Sequence, residues 1–263
     1  MVHPCMVVCK VRIRFRKAGD LRLVSHHDLM RCWERMLRRA DLPFRSTAGF
    51  NPKPRLVFAL SLGLGIVGSQ EVAEVELDAD LPADEVLERL RRQAPVGLEL
   101  YEAHAIDARA GAQVRRAGYR MAVPPERTGA LEQRAAALLA AAEVWVERSR
   151  PQPRRLEIRP YLDAIRALPD AVEMICWVTP NGTARPDEIL SLLGLGDLLP
   201  GGAVLERFLI ELIDESPEIT NPSALRNNDP PNRDHTGPQT SDGPAVASAA
   251  QRPRPLTAGP LDF

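Results

Sequence analysis

Ser25-His26-His27-Asp28 stands directly before apolar residues at helical spacing: Leu29, Trp33, Met36, Leu37 and Ala40. A serine followed three residues later by an acid marks a helix start. The hydroxyl accepts from the Asp28 N–H, and the carboxylate lies near the positive end of the helix dipole. His26 is then the first helical residue, beside unpaired backbone N–H groups where an anion binds readily. An imidazole placed there can act as a hydrogen-bond donor or a general acid toward phosphate or carboxylate. The competing reading is a histidine that satisfies a turn carbonyl and holds residues 19–24 in place. His27, Arg31, Arg35 and Arg38 form a second stripe at i, i+4, i+8 and i+11, which ends where Pro43 stops the helix.

The other chemically loaded stretch is Gly49-Phe50-Asn51-Pro52-Lys53-Pro54-Arg55. Two prolines and a glycine in seven residues make a stiff loop that holds Phe50, Lys53 and Arg55 in place. Together these stretches define a candidate site for a flat anion: Ser25, His26, Asp28, Arg31, Arg35, Phe50, Asn51, Lys53 and Arg55. In the sharpest form of this reading the arginines track a phosphate backbone and Phe50 stacks on a base. In the plainer form the arginines pair with Glu34 or with acids elsewhere, and Phe50 plugs a sheet edge.

Composition supports a local site. The 263 residues carry 34 Lys/Arg and 35 Asp/Glu, a formal net charge of -1. Between Lys10 and Arg55, however, thirteen Lys or Arg face four Asp or Glu. Overall neutrality argues against a nonspecific nucleic-acid coat, while a local patch of this strength still attracts phosphate or carboxylate. Of the four cysteines, Cys32 and Cys176 lie in apolar surroundings and are expected as buried thiols. Cys5 and Cys9 lack a third and fourth ligand nearby, so no metal site is expected. Reduced thiols, no signal peptide and no apolar run of about 20 residues point to a cytoplasmic protein away from membranes. There is no P-loop and no nucleophile–base constellation. Gly63-Leu64-Gly65-Ile66-Val67-Gly68 has dinucleotide-like glycine spacing, but no helix follows it.

The elements that must position these residues follow from periodicity. Lys10–Lys17 alternates, with Val11, Ile13 and Phe15 inward and Arg12, Arg14 and Arg16 outward. Strands are expected at Arg55–Leu62, Glu71–Leu77 and Leu98–Ile106, with a second helix opening at Leu81-Pro82-Ala83-Asp84. This β-α-β-β-α-β order over 10–107 matches the ferredoxin-like unit, whose sheet leaves one face open. A second such unit is expected over 117–213. It reads as a strand at Tyr119–Val123, a helix at Pro125–Ala142 and a strand at Glu143–Arg148. A basic loop follows at Arg150–Arg155, then Leu156–Ile158, a short helix at Tyr161–Ala167 and a strand at Val172–Thr179. A helix at Arg185–Leu193 and a strand at Val204–Ile213 complete it. The fold class is thus α+β, two tandem ferredoxin-like domains between a leader at 1–9 and a tail at 214–263. From Ser216 onward the composition cannot bury enough apolar area to offset its ordering entropy, so disorder is expected.

The motif Gly19-Asp20-Leu21-Arg22-Leu23-Val24-Ser25-His26-His27-Asp28-Leu29-Met30-Arg31, with Leu37-Arg38-Arg39-Ala40, Leu42-Pro43 and Gly49–Pro54, resembles the bacterial radical-SAM-associated family DUF2344. Leu156-Glu157-Ile158-Arg159-Pro160 and Arg185–Leu190 resemble its second half. The resemblance spans roughly residues 10–213. It implies a radical-SAM partner, which would carry the iron–sulfur cluster and S-adenosylmethionine; no cofactor is implied in this chain. The family usually has an apolar residue at the position of His27, so the resemblance attaches to Ser25, His26, Asp28 and Arg31. Lys53 stands where members often carry His or another basic residue.

The expected function is an accessory, substrate-recognition protein for a radical-SAM partner, binding RNA or another anion through the basic first domain and without catalysis of its own. The alternatives are a metal-independent endoribonuclease that uses His26, by analogy of fold alone, and a scaffold that docks the partner enzyme.

Overall fold

The computed structural model describes residues 9–149 and 152–215. The leader with Cys5, Arg150-Pro151 of the basic loop and the segment from Ser216 onward lie outside the described residues. Asp214 and Glu215, counted above with the tail, are described and pair with Arg12.

The first half runs β1 (Cys9–Lys17), α1 (His26–Arg39), β2 (Leu56–Phe58), β3 (Val67–Leu77), α2 (Ala83–Arg91) and β4 (Leu98–Ile106). β1 lies antiparallel between β4 and β3, and β2 pairs antiparallel with the C-terminal part of β3. The alternation of β1 drives Val11, Ile13 and Phe15 fully into the core. Ile13 sits opposite both Ala73 of β3 and Ala103 of β4. Over them pack Leu29, Trp33, Met36 and Leu37 from α1, and Val86, Leu87 and Leu90 from α2. Apolar burial at the i, i+4, i+7, i+8 positions of α1 is what holds it on the sheet.

The second half runs β5 (Val114–Ala122), α3 (Leu131–Ala140), β6 (Trp145–Arg148), β7 (Arg154–Glu157), β8 (Leu162–Ala167), β9 (Ala171–Trp177), α4 (Pro186–Leu192) and β10 (Leu205–Leu212). Strand order is β10-β5-β9-β8, antiparallel throughout. The two halves join where β10 runs parallel to the start of β3 at Val67 and Gly68, giving one mixed eight-stranded sheet.

Three expectations change. Residues 162–167 form a strand, not a helix. Leu162 and Ile165 fit either period, but Leu168 N donates to the Ala171 carbonyl at 2.8 Å. That closes a hairpin around Pro169-Asp170, and cross-strand pairing with β9 decides the matter. Residues 145–148 are a strand outside the main sheet, paired among the described residues with β7 alone, and Arg154 and Arg155 of the expected basic loop belong to that ladder. Arg12 does point outward, to the face opposite the helices, but is buried there, 1% exposed. On that face Val72, Val114, Ile210 and Leu212 form a small third apolar cluster, so it is largely filled at the junction of the halves.

Candidate functional site

At the start of α1, Ser25 has extended backbone angles and caps the helix, its Oγ accepting from Asp28 N at 3.2 Å. The same hydroxyl donates to Asp28 Oδ2 at 2.7 Å, and Arg31 Nη1 donates to Oδ1 at 3.1 Å. These contacts, the Ser25 hydroxyl first, hold the Asp28 carboxyl below its ordinary range. Ser25, Asp28 and Arg31 therefore satisfy one another at the helix start.

His26 turns inward. Its ring meets Phe58 edge-on at 5.4 Å, and Phe58 in turn meets Trp33 at 5.8 Å and Phe15 at 5.9 Å. Nδ1 is buried and has no hydrogen-bond partner among the described residues. Burial chiefly, then the charges of His27, Lys17 and Arg207, hold its pKa below the ordinary histidine value.

Beneath His26 lies a cluster that the sequence reading did not single out. Lys17 is fully buried, and Nζ donates to the Val24 carbonyl at 2.8 Å, just ahead of the Ser25 cap. Burial lowers its pKa, opposed by Glu71. Arg207, 1% exposed, donates from Nε to Glu71 Oε1 at 2.8 Å and from its two Nη atoms to the carbonyls of Ser61 and Leu60, each at 3.0 Å. A signal was present. In the alternation of β1, Lys17 falls on the side of Val11, Ile13 and Phe15, and a charge at a core position needs a partner.

The loop after α1 is held as a ladder. Arg55 N donates to the Arg45 carbonyl and Thr47 N to the Lys53 carbonyl, both at 2.8 Å, while Lys53 N donates to Thr47 Oγ1 at 3.1 Å. Phe50 stands at the tip with its ring fully exposed, next to Gly49 at φ 132°. Asn51, Lys53 and Arg55 are exposed, and Arg55 reaches Glu76 at 3.4 Å. Arg38 on the last turns of α1 lies over the Phe44 ring at 5.3 Å and donates to the Pro52 carbonyl at 3.5 Å. Helix and loop are thereby one surface. Arg35, Arg39 and Lys53 are exposed there and make no ion pair among the described residues.

The nine candidate residues thus separate into two groups. From His26 to Arg38 is about 18 Å along the helix axis. Ser25, His26, Asp28 and Arg31 stand at one end, and Phe50, Asn51, Lys53 and Arg55 belong to the loop at the other, with Arg35 between. Among the described residues no group of His, Cys, Asp and Glu is placed to hold a metal ion. Cys9 and Cys176 are buried, and burial pushes the Cys176 thiol up to about 12. No described helix is long and apolar enough to cross a membrane.

No curated protein matches this chain. A solved structure titled as that of an unknown protein from Galdieria sulphuraria aligns with 79% of this chain and 99% of its own at 11% identity, with a TM-score of 0.25, too low to carry an argument. The family model described as an uncharacterized protein conserved in bacteria, DUF2344, matches residues 10–186, two thirds of the sequence and all of both candidate groups. The chain belongs to the DUF2344 family.

Proposed function

We propose that this protein is a recognition module that presents single-stranded RNA to a radical-SAM partner through the surface made by α1 and the 44–55 loop. The observation that carries the RNA reading is the pairing of an exposed aromatic tip, Phe50, with exposed cations at Arg35, Arg39 and Lys53 that make no ion pair among the described residues, on a surface tied together by Arg38 and Pro52. Stacking platforms flanked by cations bind single strands with little sequence preference. Each half also has the strand order 4-1-3-2 with antiparallel neighbours, which supports reading the chain as two ferredoxin-like units, the second with β6 and β7 inserted. The radical-SAM partner rests on the family resemblance alone, and the scaffold reading shares that basis.

The test is anisotropy of a labelled single-stranded RNA against salt, for the wild-type chain and a Arg35→Glu/Lys53→Glu variant. A steep salt dependence that flattens in the variant is expected; RNA affinity that is absent, or unchanged by the variant, overturns the reading. Retained binding to the radical-SAM partner after nuclease treatment, with no RNA affinity, would identify a scaffold. The endoribonuclease reading is separated by His26→Ala: RNA cutting lost while binding persists marks an enzyme. Its support is weaker, since His26 is packed on Phe58, burial disfavours its protonated form, and it stands at the opposite end of α1 from the turn that Arg38 joins to Pro52.

A further inference from the structure

Four cations, Lys10, Arg12, Arg14 and Arg16, alternate along the face of β1 that points away from the helices. Neighbouring strands provide two acids that pair with them. Glu74 pairs with Lys10 and, at 2.9 Å, with Arg12; Glu99 pairs with Arg16 at 3.2 Å. The remaining charge is met by the residues just past β10. Asp214 Oδ2 lies 2.7 Å from Arg12 Nη2 and Glu215 Oε1 lies 2.9 Å from Arg12 Nη1. The second Glu215 oxygen pairs with Arg14, and His104 Nε2 stands 3.7 Å from the first.

One carboxylate thus bridges two guanidinium groups with an imidazole at its side, an arrangement that suits a phosphate group at least as well. Arg12 is anchored independently of Glu215 by Glu74, which accepts from its Nε at 3.0 Å and Nη2 at 2.9 Å, and Arg14 has no other ion pair among the described residues. Asp214 and Glu215 are the outer members of the cluster, with side chains 44% and 27% exposed. Taking them away would leave three cations, Lys10, Arg12 and Arg14, facing Glu74 and, 3.9 Å from the other ring nitrogen of His104, Glu102, so the sheet face keeps an excess of positive charge, with Tyr101 exposed on the adjacent strand.

We propose that Arg12, Arg14 and His104 form a phosphate-binding site, separate from the α1 surface, which Asp214 and Glu215 occupy as built-in anions and which a phosphate group enters by displacing them.

The test uses the full chain and inorganic phosphate alone, read from the His104 ring resonances by NMR and by calorimetry at constant ionic strength. Asp214→Asn/Glu215→Gln is expected to bind phosphate at least tenfold more tightly than wild type, and adding Arg14→Gln to remove the gain. Lys53→Glu should leave this binding unaltered, which keeps the result distinct from RNA binding on the α1 surface. Equal phosphate affinity in wild type and the double amide variant overturns the proposal, as does a gain that survives Arg14→Gln or disappears with Lys53→Glu. Should the double variant lose its fold by circular dichroism, Glu215→Gln alone decides: a gain of several-fold supports the site, and no gain refutes it.

Discussion

Arg207 of β10 and Glu71 of β3 meet as a buried ion pair where the two halves of the sheet join, with side chains 2% and 3% exposed. Arg207 also donates to the carbonyls of Leu60 and Ser61, so one guanidinium holds β3, β10 and the segment after β2. A Cβ at Gly68 would stand 2.5 Å from the Glu71 side chain, so the glycine leaves the space that Glu71 occupies. Glu71→Ala strands a buried guanidinium and Arg207→Ala a buried carboxylate. Each is expected to lower stability by about 3–5 kcal/mol. Urea unfolding of the two single variants and of Glu71→Leu/Arg207→Leu checks this: the double variant should lose less than either single one, because no charge is left without a partner.

On the α1 surface the arginines should not be equivalent. Arg31 is already committed to Asp28 at 3.1 Å, whereas Arg35 and Lys53 have no acid partner among the described residues. Arg35→Gln and Lys53→Gln should each weaken single-stranded RNA binding and reduce the slope of log K against log salt by about 0.7. Arg31→Gln should change the slope less. Equal slopes for all three variants would show that exposure alone, not freedom from pairing, sets the contribution.

Periodicity made most of the frame legible. The alternation of Val11, Ile13 and Phe15 and the apolar stripe of α1 announce their burial directly, because a single period fixes each side chain's face. The Ser25 cap with Asp28 was equally readable, being a contact across three residues. What stayed hidden depends on partners far along the chain. Arg12 reads as a solvent-facing residue until Asp214 and Glu215, some two hundred positions later, close over it. Residues 162–167 fit a helix until β9 offers them a ladder. The candidate site was legible as residue types but not as one place: the sequence lists His26 and Lys53 in one motif region, and the length of α1 keeps the helix start away from the loop at its far end.

Phe50 separates binding from folding. Its ring touches none of the core clusters and is fully exposed, so Phe50→Ala should shift stability by no more than about 0.5 kcal/mol. If a base stacks on it, the same change should cost about 1–3 kcal/mol of single-stranded RNA affinity. Thermal unfolding and RNA anisotropy on one preparation give both numbers. Phe50→Tyr, which keeps a stacking face, should retain most of the affinity; an equal loss with Tyr and Ala would rule out stacking.

His26 gives the fold a dependence on acid. Its folded-state pKa lies below the ordinary 6.5, first through burial and then through the charges of His27, Lys17 and Arg207, with Glu71 acting in the opposite sense. The unfolded chain therefore binds a proton more readily than the folded one. By linkage, the stability that His26 contributes is fully present above the unfolded value and is lost as pH falls from there through the folded value. The facing groups explain why relief is unavailable: Phe58 offers no acceptor, Lys17 is bonded to the Val24 carbonyl, and Glu71 is committed to Arg207. His26→Gln, which keeps polarity and cannot titrate, should flatten the fall in unfolding free energy as pH drops below about 6.5 relative to wild type. His27→Gln, at an exposed position, should leave most of it in place. Urea titrations across that range decide the matter, since an unchanged pH profile in His26→Gln would assign the acid sensitivity to the carboxylate pairs on the other face of the sheet.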